Sequence, residues 1–103
     1  MINNPQKLTE LIKYANGSIV SKALVDKKIG TITLFAFDAG QGLSEHQAPF
    51  DAVVQIVEGK ARLTIGGKKV IVNAGEMIIM PGNVPHAVNA DERFKMLLTM
   101  IRA

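Results

Sequence analysis

Gly40-Gln41-Gly42-Leu43-Ser44-Glu45-His46-Gln47-Ala48-Pro49-Phe50-Asp51-Ala52, continuing through Val53-Val54-Gln55-Ile56-Val57 to Glu58-Gly59, is the stretch on which the fold turns. Ala52 to Val57 is strand-forming, and Glu58-Gly59 closes it with a turn. Downstream, Ala61-Arg62-Leu63-Thr64-Ile65 alternates in character before Gly66-Gly67, and Val70-Ile71-Val72 resumes after Lys68-Lys69. Asn73-Ala74-Gly75-Glu76 is a further turn and Met77 to Met80 a buried strand. In Pro81-Gly82-Asn83-Val84-Pro85 both prolines lack a ladder donor, so that segment reads as a stiff loop. A last hairpin runs through Ala87-Val88, turns at Asp91-Glu92 and returns along Arg93 to Ile101, with Phe94, Met96, Leu98 and Met100 on one face.

Upstream, Ile19 to Val25 and Thr31 to Phe37 are rich in β-branched and aromatic residues on either side of the turn-like Asp26-Lys27-Lys28-Ile29-Gly30. Residues 1–18 form an N-terminal helical segment. Within it Pro5 to Ala15 phases as a short helix, with Leu8, Leu11, Ile12 and Ala15 on one stripe and Asn16-Gly17 as the stop. Short strands at regular spacing, with no later helix and no long repeat, predict an all-β sandwich or barrel.

The chain has 103 residues, one domain's worth of core, so 1–103 reads as a single domain. Hydrophobic residues make up 48% and charged residues 20%, the balance of a self-folding globular chain. The apolar runs are strand-sized and the start is polar, which excludes a membrane span and a secretory leader and makes the cytoplasm the expected location. Absence of cysteine excludes disulfides, thiolate metal sites and thiol chemistry. The formal charge of +3 is spread along the chain without interleaved stacking aromatics, which argues against a nucleic-acid surface.

The glycines, histidines and prolines resemble the two motifs of the cupin family. The first, G-x5-H-x-H-x3-E-x6-G, matches at Gly40, His46 and Gly59, while its second histidine falls on Ala48 and its glutamate on Ala52. The second, G-x5-P-x-G-x2-H-x3-N, matches at Gly75, Pro81 and His86, with Asn83 and Ala90 in place of the last glycine and the asparagine. Motif 1 thus covers 40–59 and motif 2 covers 75–90. The E-H-x-A-P-F-D-A stretch and the R-F-K-M-L-L-T-M-I-R ending look like those of small stand-alone bacterial cupins. The resemblance implies a double-stranded β-helix, or jelly-roll, barrel with a short N-terminal helix. It also implies a homodimer in which Ile19 to Val25 contributes to a two-fold interface.

In the family frame His46, Ala48, Ala52, Val54 and Ile56 face the barrel interior and His86 joins them from the second motif. The expected site is a cavity lined by Val54, Ile56, Met80, Val88, Phe94, Met96 and the two histidines, binding a small, partly apolar molecule. His46 and His86 are the candidate catalytic residues and the candidate ligands of a divalent metal, zinc, iron, nickel, manganese or copper, although Ala48 and Ala52 leave the ligand set incomplete. Glu45, Gln47 and Asp51 point away by strand parity. Two alternatives stand beside this reading: a metal-dependent oxygenase or isomerase using the two histidines, and a non-catalytic dimeric structural module with a filled barrel. Serine-nucleophile and phosphate-loop chemistries are excluded by context, since Ser18, Ser21 and Ser44 lack a nucleophile elbow and Gly40-Gln41-Gly42 lacks the phosphate-loop pattern.

Overall fold

The computed structural model describes residues 3–102. After a single 3-10 turn at Leu8–Glu10, nine strands follow: β1 Ile19–Lys27, β2 Gly30–Phe37, β3 Gly42–His46, β4 Asp51–Glu58, β5 Lys60–Ile65, β6 Lys68–Asn73, β7 Met77–Met80, β8 His86–Asn89 and β9 Phe94–Ile101. They pair antiparallel in two sheets, of order β1-β2-β9-β4-β7 and β3-β8-β5-β6. The expected all-β jelly-roll barrel is therefore present. Among the described residues no helix is long and apolar enough to cross a membrane.

Strand alternation decides what fills the space between the sheets. Phe37 from β2, Ala52, Val54 and Ile56 from β4, Ala61 and Leu63 from β5, Val88 from β8, and Phe94 and Met96 from β9 belong to one buried cluster. Phe37 and Phe94 are register partners and stack at a centroid separation of 4.6 Å. Burial of this apolar surface is the main force holding the sheets together.

The N-terminal helical segment is shorter than its stripe of apolar residues implies. Residues 1 and 2 of that segment lie outside the described residues; among the described ones helical geometry is confined to Leu8–Glu10, and Ile12 instead packs with Leu34 and Ala36 on the outer face of the five-stranded sheet, with Leu11, Tyr14, Val20, Leu24, Val57 and Leu97 around it. A short helix is marginal by itself, so contact with the sheet decides the conformation. Polar ties complete this strap. Lys95, buried on the outer face of β9, donates from Nζ to the Thr9 carbonyl at 2.6 Å and lies 3.6 Å from Glu58 Oε2. The Tyr14 hydroxyl donates to the same Glu58 oxygen at 2.5 Å. Burial first, and then that carboxylate, push the Tyr14 pKa up, so the phenol remains a donor.

The strap's far end is held by Asp38, which accepts from Arg93 Nε at 2.7 Å and from the Gly17 backbone N–H at 2.7 Å. The Arg93 bond, followed by the Gly17 bond, holds the Asp38 carboxyl below the usual carboxylate range. A folded-state pKa lowered in this way stabilises the fold above the usual carboxylate range, and that contribution is lost as the pH falls through the folded value. Asp38→Asn is therefore expected to flatten the decline of the melting temperature between neutral pH and about pH 2, measured by circular dichroism. An unchanged slope would show that Asp38 adds nothing to acid sensitivity.

Candidate functional site

The two histidines lie at neighbouring strand ends: β3 finishes at His46 and β8 begins at His86, and the two are register partners. The chain reaches this arrangement through an irregularity. Leu43 pairs with Val88, yet His46, three residues on, pairs with His86, only two residues back, so β3 carries one extra residue. A bulge of this kind re-aims side chains. Here it lets Leu43 pack on the core while His46 meets His86, which strict alternation along β3 would forbid.

Two loops brace this end of the barrel. The Asn83 N–H donates to the Ala48 carbonyl at 2.7 Å, and the Gly82 N–H donates to Asp51 Oδ1 at 2.8 Å. Asn83 has φ 64°, a left-handed conformation that asparagine tolerates better than most residues. The departure from the motif's second glycine therefore leaves the turn intact. Gly82 sits close against the neighbouring loop, where a Cβ would lie 3.1 Å from the Pro49 carbonyl carbon. Pro85 accepts from the Gly66 N–H at 2.8 Å, tying the loop before His86 to the β5–β6 turn.

The rings themselves are fixed by backbone carbonyls. His46 Nδ1 lies 2.8 Å from the Ser44 carbonyl oxygen, and His86 Nδ1 lies 3.2 Å from that of Val84. Carbonyl oxygens only accept, so both Nδ1 atoms carry hydrogen in the tautomers assigned by these partners. The Nε2 atoms face each other at 3.1 Å, with the rings edge-to-face at a centroid distance of 4.3 Å. With both rings neutral, two bare lone pairs would meet. The contact is a hydrogen bond only when one of the two Nε2 atoms carries a hydrogen. His86 is buried and His46 is exposed, so the pair spans the boundary between core and solvent.

Among the described residues no group of three or more His, Cys, Asp or Glu side chains converges in a way that could hold a metal ion. Ala48 and Ala52 occupy the positions where the motif has histidine and glutamate, Asp51 is engaged by Gly82, and Glu45 and Gln47 are exposed. Two imidazoles and no carboxylate do not fit a resident metal centre of the motif's kind.

The six residues expected to line a cavity are brought together as a closed core. Val54 and Phe94 are 0% exposed, Ile56 and Met96 1%, Val88 2% and Met80 4%, so water does not reach them appreciably. They form a floor, with half-buried Leu43 and Ile65 packed against it and Ile65 in register with His86. Roomier depressions lie outside the barrel: one of about 530 Å³ is bounded by Gln6, Leu8, Leu11, Leu24, Val25, Asp26, Lys27 and Ile32, beside the strap and away from the histidines.

The cupin domain family model matches residues 33–101, well over half of the chain and spanning both motifs. The chain belongs to the cupin family. Among solved cupin-like structures it is similar to a conserved protein of unknown function from Streptococcus pyogenes, at 34% identity and TM-score 0.95, covering 100% of this chain and 90% of that one. A cupin 2 conserved barrel domain protein from Leptotrichia buccalis is 41% identical, with TM-score 0.87 over 90% of this cupin and 45% of that chain, so this cupin spans under half of that protein's length. A cupin superfamily protein from Desulfitobacterium hafniense is 27% identical with TM-score 0.94, covering 100% of this chain and 94% of that one. Among curated proteins none matches.

Three features of this cupin's site escaped the sequence reading. The bulge leaves no mark in a segment as polar as Ser44-Glu45, and the carbonyl anchors of Ser44 and Val84 are main-chain groups without a sequence signature. The left-handed conformation of Asn83, already placed at a motif glycine, could have been found, because asparagine is among the few residues that such a turn accepts readily.

Proposed function

We propose that this cupin is a small-molecule-binding protein whose ligand sits at the barrel end built around His46 and His86. Its polar group meets the Nε2 atoms. Its apolar part lies against the half-buried Leu43 and Ile65, outside the closed core of Met80, Val88, Val54, Ile56, Phe94 and Met96. The observation that carries this reading is the pair of imidazoles fixed through Nδ1 on the Ser44 and Val84 carbonyls, which turns their two Nε2 atoms toward each other at 3.1 Å. Rings already oriented lose little freedom when a ligand arrives.

The test joins two measurements on untagged protein purified without chelator, with His46→Ala and His86→Ala beside the wild type. Metal content by plasma mass spectrometry is expected to stay at trace level. A small-molecule thermal-shift screen is expected to yield compounds that raise the melting temperature of the wild type and not of the variants. Ligand at a hundred times its Kd stabilises by about 2.7 kcal/mol, a readily measured shift. Near-stoichiometric metal lost in both variants would replace this reading with a metal-dependent oxygenase or isomerase. An unresponsive, metal-free protein would make the structural module the better account.

A further inference from the structure

The N-terminal strap is joined to the barrel in two different ways along its length. Among the described residues, the main-chain hydrogen bonds of residues 3–15 stay local: the Glu10 N–H donates to Lys7, the Leu11 N–H to Leu8, and the Ala15 carbonyl accepts from Ser18. None of them reaches a strand. From Asn16 onward the chain is pinned. Asn16 Oδ1 accepts from Arg93 Nη2 at 3.1 Å, the Gly17 N–H donates to Asp38, and the Asp38 N–H donates to the Ser18 carbonyl at 3.1 Å. Gly17, with φ 64°, makes the turn between the loose stretch and the pinned one.

Packing beneath residues 3–15 is equally uneven. Ile12 is the one buried side chain of that stretch, set against Leu34 and Ala36. A hollow of about 530 Å³ lies between Gln6, Leu8 and Leu11 and the first two strands, and another of about 460 Å³ between Lys7, Leu8 and Thr9 and β4 with the turn before β7. A segment bridging such spaces forfeits the contacts that close packing supplies. The polar latch does not oppose lifting either. Lys95 and Glu58 belong to β9 and β4, so their pair remains on the barrel when the strap leaves. Water replaces the Thr9 carbonyl at Lys95 and the Tyr14 hydroxyl at Glu58, an exchange of hydrogen bonds that leaves no charge buried without a partner. The apolar burial of Ile12 is then the main attachment.

We infer that residues 3–15 lift from the barrel as one unit, hinging at Asn16-Gly17 while the nine strands stay folded. The open form uncovers an apolar strip of Val20, Leu24, Leu34, Ala36, Val57 and Leu97. Local openings of this kind occur well below the free energy of global unfolding. The chain contains no cysteine, so a single introduced thiol reports opening through its rate of reaction with Ellman's reagent. Ala36 lies under the strap and Ala61 in the core between the sheets, and both are 0% exposed. The Ala36→Cys variant is expected to react about a hundredfold faster than the Ala61→Cys variant. Strap opening exposes little surface, so the Ala36→Cys rate should rise only slightly in urea below the unfolding transition, while the Ala61→Cys rate rises steeply. Adding Ile12→Ala should speed the Ala36→Cys reaction by about tenfold or more. Hydrogen exchange of the unsubstituted protein makes the same comparison: the Glu10 and Leu11 amides should exchange together and about a hundredfold faster than that of Leu63 in β5. Equal rates and equal urea dependence for the two thiols, or Glu10 and Leu11 amides as slow as that of Leu63, would show that the strap leaves only when the barrel unfolds and would overturn the inference.

Discussion

Phe94→Ala is expected to lower the stability of the domain by about 3–5 kcal/mol, the range for removing a buried phenylalanine ring from a packed core. Phe94 has no exposed surface, and its ring lies nearly parallel to that of Phe37, at 10° and 4.6 Å between centroids, where the first residue of β9 meets the last of β2. Truncation removes the stack and leaves a hole bounded by strands whose hydrogen-bond ladders keep the walls from collapsing. In a domain of this size each kcal/mol moves the melting temperature by several degrees, so the drop should exceed about 12 °C in thermal melts followed by circular dichroism. Phe94→Leu, which keeps most of the volume, should fall between the two. A loss under about 1 kcal/mol for the alanine variant would mean that the core is not packed as described.

Gly59→Ala is expected to be nearly as damaging, for a different reason. Gly59 has φ 75°, and a Cβ there would lie 2.4 Å from the Arg93 carbonyl oxygen and 3.1 Å from Phe94 Cα. Those are main-chain atoms at the entry to β9 and have no rotamer to escape into. Left-handed strain of about 1–2 kcal/mol and overpacking of about 1–3 kcal/mol together give a loss of about 2–5 kcal/mol. Gly75→Ala supplies the control: its φ is 87°, but nothing lies within 4 Å of the added methyl. It should cost only the strain. Urea denaturation of the two variants side by side isolates the clash, and equal losses would contradict the close approach of the β4–β5 turn to β9.

What the sequence exposed and what it hid follow from where the structural information resides. Gly59, Gly66 and Gly75 punctuate the barrel because each turn needs a left-handed residue, and the strands between them alternate or run apolar, so β4 to β7 were legible almost to their ends. The outer surface was not. Leu8, Leu11 and Ile12 have helical spacing, but β1, β2 and β9 present a second apolar face through Leu34, Ala36 and Leu97, and the strap extends to cover it. Lys95 joins that covered face because the Thr9 carbonyl, Glu58 and the face of the Tyr14 ring, 4.9 Å from Nζ, satisfy it, a combination of residues scattered through the chain. At the site, motif spacing places His46 and His86 in one frame, and the two are register partners with Nε2 atoms 3.1 Å apart. The side chains of Val54, Ile56, Phe94 and Met96 proved too completely packed to form an open wall, since periodicity reports which face a residue takes and says nothing of whether the space beyond it is filled.

The account rests on two imidazoles anchored through Nδ1 and facing each other through Nε2. Long-range ¹H–¹⁵N correlation spectra of the histidine side chains test this directly, because protonated and bare ring nitrogens resonate far apart. The predicted spectrum has a hydrogen on Nδ1 of both His46 and His86, the atoms that lie 2.8 Å and 3.2 Å from carbonyl oxygens. A bare Nδ1 on either ring, or two Nε2 atoms each carrying its own hydrogen while both Nδ1 atoms are free, would contradict the anchoring on the Ser44 and Val84 carbonyls and the site built upon it.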